Sequence, residues 1–306
     1  MVATTQQAGG SPRVPWRLRE AIAAWVFLLP SLIPFVVFVA GPVLAAIALS
    51  FAEYDLLSPP SFIGLANFET FLSDPRILTI YKNTIVYVAG TVGIETIIAL
   101  LLAVATNRAL PGLLRYLFRT TYFFPVLTSL ASVSIVWGYL YHTNFGVINY
   151  YLQQFGGPQI RWLTSSDWAM PALIILGVWK SLGFSYILFV AGLQNIPRHL
   201  YEAAAIDGAG PVSTFFNITL PMLSPTMFFA VVISLINGFQ IFDSPYIMTQ
   251  GGPGDATRTV AMYLHEQGFR FFDMGYAATI SLSLFVVILI LTLVQFRFGR
   301  SWVHYA

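Results

Sequence analysis

Three polar side chains recur at intervals of three within the apolar run Pro221–Phe242: Ser234, Asn237 and Gln240. On a helix that spacing places them on one stripe, with Phe239 and Phe242 close by. A hydroxyl and two amides beside aromatic faces suit a sugar, which presents hydroxyls around its edge and apolar C–H faces. The competing use of such groups is to hydrogen-bond one membrane helix to the next. Two charges also sit about halfway along apolar runs, Glu95 and Lys180. Unpaired at a bilayer centre, each would cost at least about 2.5 kcal/mol, so the sequence predicts that they pair with one another. If Lys180 instead faces a cavity, an anionic substrate becomes attractive.

Hydrolytic and metal chemistry find no residues to carry them. The only lysines are Lys82 and Lys180, and neither stands in a Gly-x-x-x-x-Gly-Lys-Ser/Thr loop that cradles phosphates. His142, His199, His265 and His304 lack metal-ligand spacing and fall on both sides of the expected membrane. Without cysteine there is no disulfide, thiolate metal site or thiol nucleophile. No catalytic residue, metal or cofactor is therefore expected on the chain. A formal charge of +2, thinly spread, and no basic patch with interleaved aromatics argue against nucleic acid.

The elements that must hold these side chains are membrane helices. Hydrophobic residues make up 57% of the 306 and charged residues 9%, with a mean hydropathy of +0.73, far from a soluble domain. Stretches 21–51, 83–106, 122–141, 168–193, 221–242 and 274–296 each reach the roughly 20 apolar residues that a span needs. The first carries Pro30, Pro34 and Pro42 and is too long for a cleaved signal, so a retained helix is expected. No alternating β-barrel pattern competes. With the N-terminus inside, the inner set is Arg13, Arg17, Arg19, Arg108, Arg115, Arg119, Arg198, Arg297 and Arg300. The outer set is Arg76, Lys82, Arg161, Arg258 and Arg270. The positive-inside rule then puts both ends in the cytoplasm. The expected architecture is all-α: a tail at 1–20, a six-span membrane domain at 21–296, and a tail at 297–306. The outer connections, 52–82 and 142–167, are long enough to be partly structured, with a short helix around Leu65–Leu72 and a surface for another protein.

One inner connection is distinctive. It runs Glu202-Ala203-Ala204, three residues, Gly208, nine residues, Ile218, one residue, Leu220-Pro221, with Asp207 just before the glycine. It reads as a short helix, a turn and a second short helix. Pro197 can open the first piece, Leu200–Ile206 are mostly helix formers, and Gly208 and Gly210 can take positive φ. Phe215, Phe216 and Ile218 give the second piece an apolar face. Such a unit is too short to stand alone in water and needs a docking partner.

That pattern closely resembles the coupling motif of ABC import permeases. Further family-like stretches follow in order: Phe62–Phe68, Asn144–Asn149, Gly192–Pro197, Thr249–Gly254 and Val294–Arg297. Over nearly its whole length the chain resembles permease subunits of binding-protein-dependent sugar and glycerol-3-phosphate importers, such as the maltose importer. The resemblance implies the type I importer permease fold in a bacterial inner membrane. It implies pairing with a second homologous permease, and a dimer of ATP-binding subunits that carries the ATP and Mg. It also implies an extracytoplasmic solute-binding protein. Segment 197–221 would couple to the ATPase, with Glu202 presenting its carboxylate or capping local N–H groups. By similarity to the maltose-type permease, Ser234 and the Asn237–Gly238 position would contact sugar. Trp179, Leu182 and Gly183 fall on the matching part of the fourth span, and Thr128 and Ser129 near the third-span position. Val126 stands where the maltose-type protein has an aromatic, which leaves the substrate open.

The sequence thus points to one permease subunit of an ATP-driven importer for a sugar, a di- or oligosaccharide first. Glycerol-3-phosphate or a glycerophosphodiester is second. A self-contained secondary transporter or channel is opposed by the coupling motif and by the absence of a recognisable internal repeat pair. A purely structural anchor is opposed by the polar stripe.

Overall fold

The computed structural model describes residues 16–107 and 111–303. Arg13, Arg108, His304 and the outer parts of both expected tails lie outside the described residues. Among the described residues the regular structure is helical apart from one two-stranded antiparallel ribbon, β1 (Ala52–Glu53) with β2 (Ser61–Phe62). Among the described residues, five helical stretches are long and apolar enough to cross a membrane, and a sixth is available if one sharply bent pair counts as a single span.

The first stretch joins α1 (Trp16–Phe35) to α2 (Gly41–Leu49) through a widened π turn at Val36–Ala40. The turn ends one residue short of Pro42, which cannot donate into the helical ladder, so the backbone loosens there. Its apolar side chains are largely bare: Phe27 is 84% exposed and Phe38 77%. None of the other described residues covers them, which suits a face turned to lipid or a partner.

A short helix, α3 (Ala66–Ser73), follows the ribbon and leads into α4 (Pro75–Thr106). Asn67 fixes this connection by donating from Nδ2 to Ser50 O (3.1 Å) and Ala52 O (2.9 Å). Hydropathy placed the start of the second span at Asn83, but α4 begins at Pro75, because Asp74 caps its first turn by accepting from Arg76 N (2.9 Å). The Asp74 carboxylate also accepts from Tyr263 Oη (2.5 Å) and Tyr276 Oη (2.8 Å). Burial pulls its pKa upward, yet these hydrogen bonds outweigh that and hold it below the usual carboxylate range. Burial first, and then the bond to Asp74, push Tyr263 up to about 12.

The third span expected at Tyr122–Tyr141 is not one helix. The chain runs as α5 (Gly112–Leu127) and α6 (Leu130–Leu140), bent by 102°. Pro125 weakens the last turn of α5 and Thr128 leaves it in an extended conformation, ψ 152°. Arg115 and Arg119, counted in the inner set ahead of the third span, lie on α5. Beyond α6, α7 (Val147–Gln154) belongs to the 142–167 connection. Asn149, 2% exposed, holds it together. Its Nδ2 donates to Thr143 O and Ile160 O, and its Oδ1 accepts from Ile160 N and Trp162 Nε1.

Helix α8 (Ser166–Gln194) is the axis of the packing, with α4 along it and α5 and α11 (Leu220–Phe239) against it. One apolar cluster joins Ile80, Tyr87, Val88, Leu173, Phe239 and Ile280. A second, toward the other end, joins Ala99, Ala103, Tyr186, Phe189 and Leu223. Gly183 lets α5 approach α8 closely: a Cβ there would lie 2.0 Å from Tyr122 O. The chain closes with α12 (Val260–His265) and α13 (Met274–Trp302), which packs on α2, α3 and α11.

Candidate functional site

Between the two apolar clusters, a cavity of about 390 Å³ opens among α4, α8, α11 and the α5–α6 break. Ser234, Asn237 and Gly238 reach it from α11, as does Glu95 from α4 and Lys180 from α8. Tyr87, Thr91, Ser181, Phe184 and Val126 complete much of the wall.

Glu95 and Lys180 share the cavity but do not pair, which corrects the expected ion pair. Each meets a different need. Lys180 Nζ donates to Pro125 O (2.6 Å), Val126 O (3.1 Å) and Thr128 O (2.6 Å). These carbonyls stand at the broken end of α5; that of Pro125 also accepts from Thr128 N (3.2 Å) and Thr128 Oγ1 (2.6 Å), and the ammonium adds a cap at the point where the chain turns by 102°. Glu95, 1% exposed, is wrapped in hydroxyls instead. Ser234 Oγ donates to Oε1 (2.5 Å), Ser185 Oγ donates to Oε1 (3.2 Å), and Ser181 Oγ donates to Oε2. One carboxylate thereby links α4, α8 and α11, its burial compensated by hydrogen bonds from three side chains.

The remaining candidates divide. Gln240 is exposed at the C-terminal end of α11 and does not line the cavity. Trp179 packs on Trp137, ring centroids 5.5 Å apart, while Leu182 joins the cluster around Tyr186. Gly183 serves helix contact, and Ser129 is exposed at the start of α6. Thr128 takes part through its carbonyl toward Lys180. Ser181 and Ser185 escaped notice in the sequence. Their separation of four, on the helix face carrying Lys180's neighbour, was the available signal.

The distinctive connection forms α9 (Arg198–Ile206), a turn and α10 (Pro211–Thr214). Gly208 takes φ +74°, whereas Gly210 stays at φ −72°, so one glycine makes the reversal. The expected second short helix is not separate. It passes through a π turn at Phe215–Thr219 into α11, the turn widening just ahead of Pro221 as it does ahead of Pro42. Ala204 is buried, and Ile218 and Leu220 are half-buried, while Glu202, Ala203, Asp207 and Gly208 are exposed. Tyr201 Oη and Thr219 Oγ1 lie 3.2 Å apart and tie the two arms together. Ile206 (87%), Val212 (71%) and Phe216 (59%) stand out of the surface, an apolar crest that none of the other described residues covers.

Residues 95–303 match the family described as binding-protein-dependent transport system inner membrane component. The chain belongs to this family. It is thus a multi-pass membrane protein of such a transport system. It is 38% identical over 292 residues to the probable ABC transporter permease protein YesP of Bacillus subtilis, covering 94% of this chain and 93% of that one. It is 34% identical over 286 residues to the sulfoquinovosyl glycerol transport system permease protein SmoG of Agrobacterium fabrum, covering 93% and 92%. A chain of the crystal structure of a bacterial alginate ABC transporter, in complex with an alginate pentasaccharide-bound periplasmic protein, superposes with a TM-score of 0.83. At 23% identity over 94% of this chain and 97% of that chain, the likeness is one of fold.

Proposed function

We propose that this chain is one permease subunit of an ATP-driven importer and forms half of the pathway for a saccharide, with both ends of six spans in the cytoplasm. The observation that carries the proposal is the cavity between the middle of α4 and α8 and the C-terminal end of α11, with Ser234, Asn237 and Gly238 on its wall. Hydroxyl and amide groups beside Tyr87 and Phe184 suit a sugar's mixed polar and C–H surface. The names of relatives support a saccharide, since SmoG is named for sulfoquinovosyl glycerol and the structural neighbour for alginate.

The energy would come from a dimer of ATP-binding subunits holding ATP and Mg, and this chain would hydrolyse nothing itself. The apolar crest of Ile206, Val212 and Phe216 beside exposed Glu202 and Asp207 is where the ATPase would grip. Closure of the ATPases would pull on α9. Because α10 runs unbroken into α11, that pull would reach the helix bearing Ser234 directly. A second homologous permease would supply the facing half of the pathway and an extracytoplasmic solute-binding protein the substrate.

The test is purification of the tagged chain from a bacterial membrane with its neighbouring genes intact. We expect an ATPase and a second permease to accompany it, and the solute-binding protein loaded with a sugar to stimulate ATP hydrolysis in lipid discs. A chain that purifies alone and catalyses uptake by itself would refute the proposal.

A further inference from the structure

Between Arg119 and Arg161 the chain contains no Asp, Glu, Lys or Arg. That charge-free run covers the whole of α6, as a membrane span requires, but it continues through residues 141–146 and α7, which belong to the 142–167 connection. Packing fixes the level of α7. Tyr141 Oη donates to Ala172 O (3.2 Å), and Tyr141, Trp162 and Ala172 form a buried cluster onto which Ile148 and Leu152 of α7 pack. Ala172 lies in the second turn of α8, past Trp168, where that helix's apolar run begins. Helix α7 is therefore level with the end of the α8 span rather than raised above it. Asn149 fastens it there through its bonds to Thr143, Ile160 and Trp162.

The faces that α7 leaves open differ in chemistry. Val147 (49% exposed), Tyr151 (57%) and Phe155 (89%) recur every four residues and form one apolar stripe, while Gln153 is exposed on the far flank. Helix α6, which leads into α7, bares Ile135, Val136 and Tyr139 as well. A surface that meets another protein only intermittently stands in water between encounters and carries a polar rim, whereas this run has no charge at all. Aromatic side chains at the end of a span suit the headgroup level of a bilayer, where the ring lies in an apolar layer and a tyrosine hydroxyl reaches water. We infer that α7 is an interfacial helix: the Val147, Tyr151 and Phe155 stripe sits at the headgroup–acyl boundary of the outer leaflet and anchors the ends of α6 and α8 to lipid. This removes that face from the surface that the sequence offered to another protein. The inference rests on the proposed topology only for the choice of leaflet.

The test uses the chain with its companion subunits in phosphatidylglycerol–phosphatidylethanolamine discs. The chain has no cysteine, so a nitroxide on Tyr151→Cys, Phe155→Cys or Gln153→Cys reports one position once reactive cysteines of the companions are replaced. Collision of the label with oxygen, which partitions into lipid, is compared with collision with a water-soluble nickel chelate. The labels at positions 151 and 155 should lie about 5–10 Å below the phosphate level, and the label at position 153 should be reached by the chelate. Phe155→Trp, which keeps an aromatic anchor, should add a fluorescence component that lipids brominated near the headgroup end of the acyl chain quench. Labels at positions 151 and 155 reached mainly by the chelate overturn the inference, whether or not an added solute-binding protein then shields them. Labels reached by neither reagent also overturn it, because they place the face against a second permease, and so does a Phe155→Trp signal that brominated lipid leaves unquenched. Failure of the importer proposal looks different: the chain purifies without an ATPase, and the measured depths stay the same.

Discussion

Replacing Lys180 with methionine tests whether the ammonium is the cap of a broken helix. Three hydrogen bonds at 2.6, 3.1 and 2.6 Å join it to Pro125, Val126 and Thr128 carbonyls. A hydrogen bond with one charged partner contributes about 1.5–3 kcal/mol net, but three that share a single ammonium do not add in full. The cavity also admits water to the freed carbonyls, and removing a half-buried cation recovers its desolvation cost. The balance leaves an expected destabilisation of about 2–4 kcal/mol, read from equilibrium unfolding in mixed micelles. Lys180→Arg should recover only part of it, because a planar fork cannot aim at three carbonyls as a compact ammonium does. A double-mutant cycle with Glu95→Gln decides between capping and pairing: with no direct bond between the two, the coupling energy should stay below about 1 kcal/mol, whereas breaking a buried ion pair costs about 3–5 kcal/mol. An unchanged stability in Lys180→Met, or a coupling energy in that higher range, would refute the capping account.

Three other outcomes follow from the same geometry. Gly208→Pro forces φ from +74° to about −65° and should abolish sugar-stimulated uptake while the complex still assembles, so wild-type uptake would contradict it. Gly183→Ala places a methyl carbon 2.0 Å from Tyr122 O and should cost about 1–3 kcal/mol by prising α5 from α8, measured by thermal unfolding in lipid discs. The Asp74 carboxyl has a folded pKa below its ordinary value of 3.8. Its contribution to stability is therefore present above that value and lost as pH falls through the lower, folded one. An acid titration of unfolding should lose that component in Asp74→Asn, and an unchanged acid limb would count against the Tyr263 and Tyr276 bonds.

Much of the architecture is legible in the sequence because it rests on local properties. Apolar runs long enough to span a bilayer announce helices whatever they pack against. The Glu202–Pro221 pattern carries the family, and a glycine between two helical pieces announces a reversal such as the one at Gly208. The polar stripe lining the cavity was visible too, as far as Ser234 and Asn237, since a three-residue period in an apolar helix is a one-dimensional signal. Gln240 continued that period on paper but falls where α11 ends, so its side chain turns away from the cavity.

Tertiary structure alone decided how the buried charges are satisfied. Glu95 and Lys180 have opposite signs and similar depth, so pairing was the economical expectation. Backbone carbonyls leave no mark in a sequence, and those freed at Pro125–Thr128 drew the ammonium away. Ser181 and Ser185 are ordinary helix residues until α4 is laid against α8 and brings the carboxylate to them. The 102° bend is similar: Pro125 marks a weak point in the sequence, but the ammonium that adds donors to the broken end comes from a side chain 55 residues away. Hydrogen-bond partners at that separation are selected by the packing of helices, and no local preference encodes them.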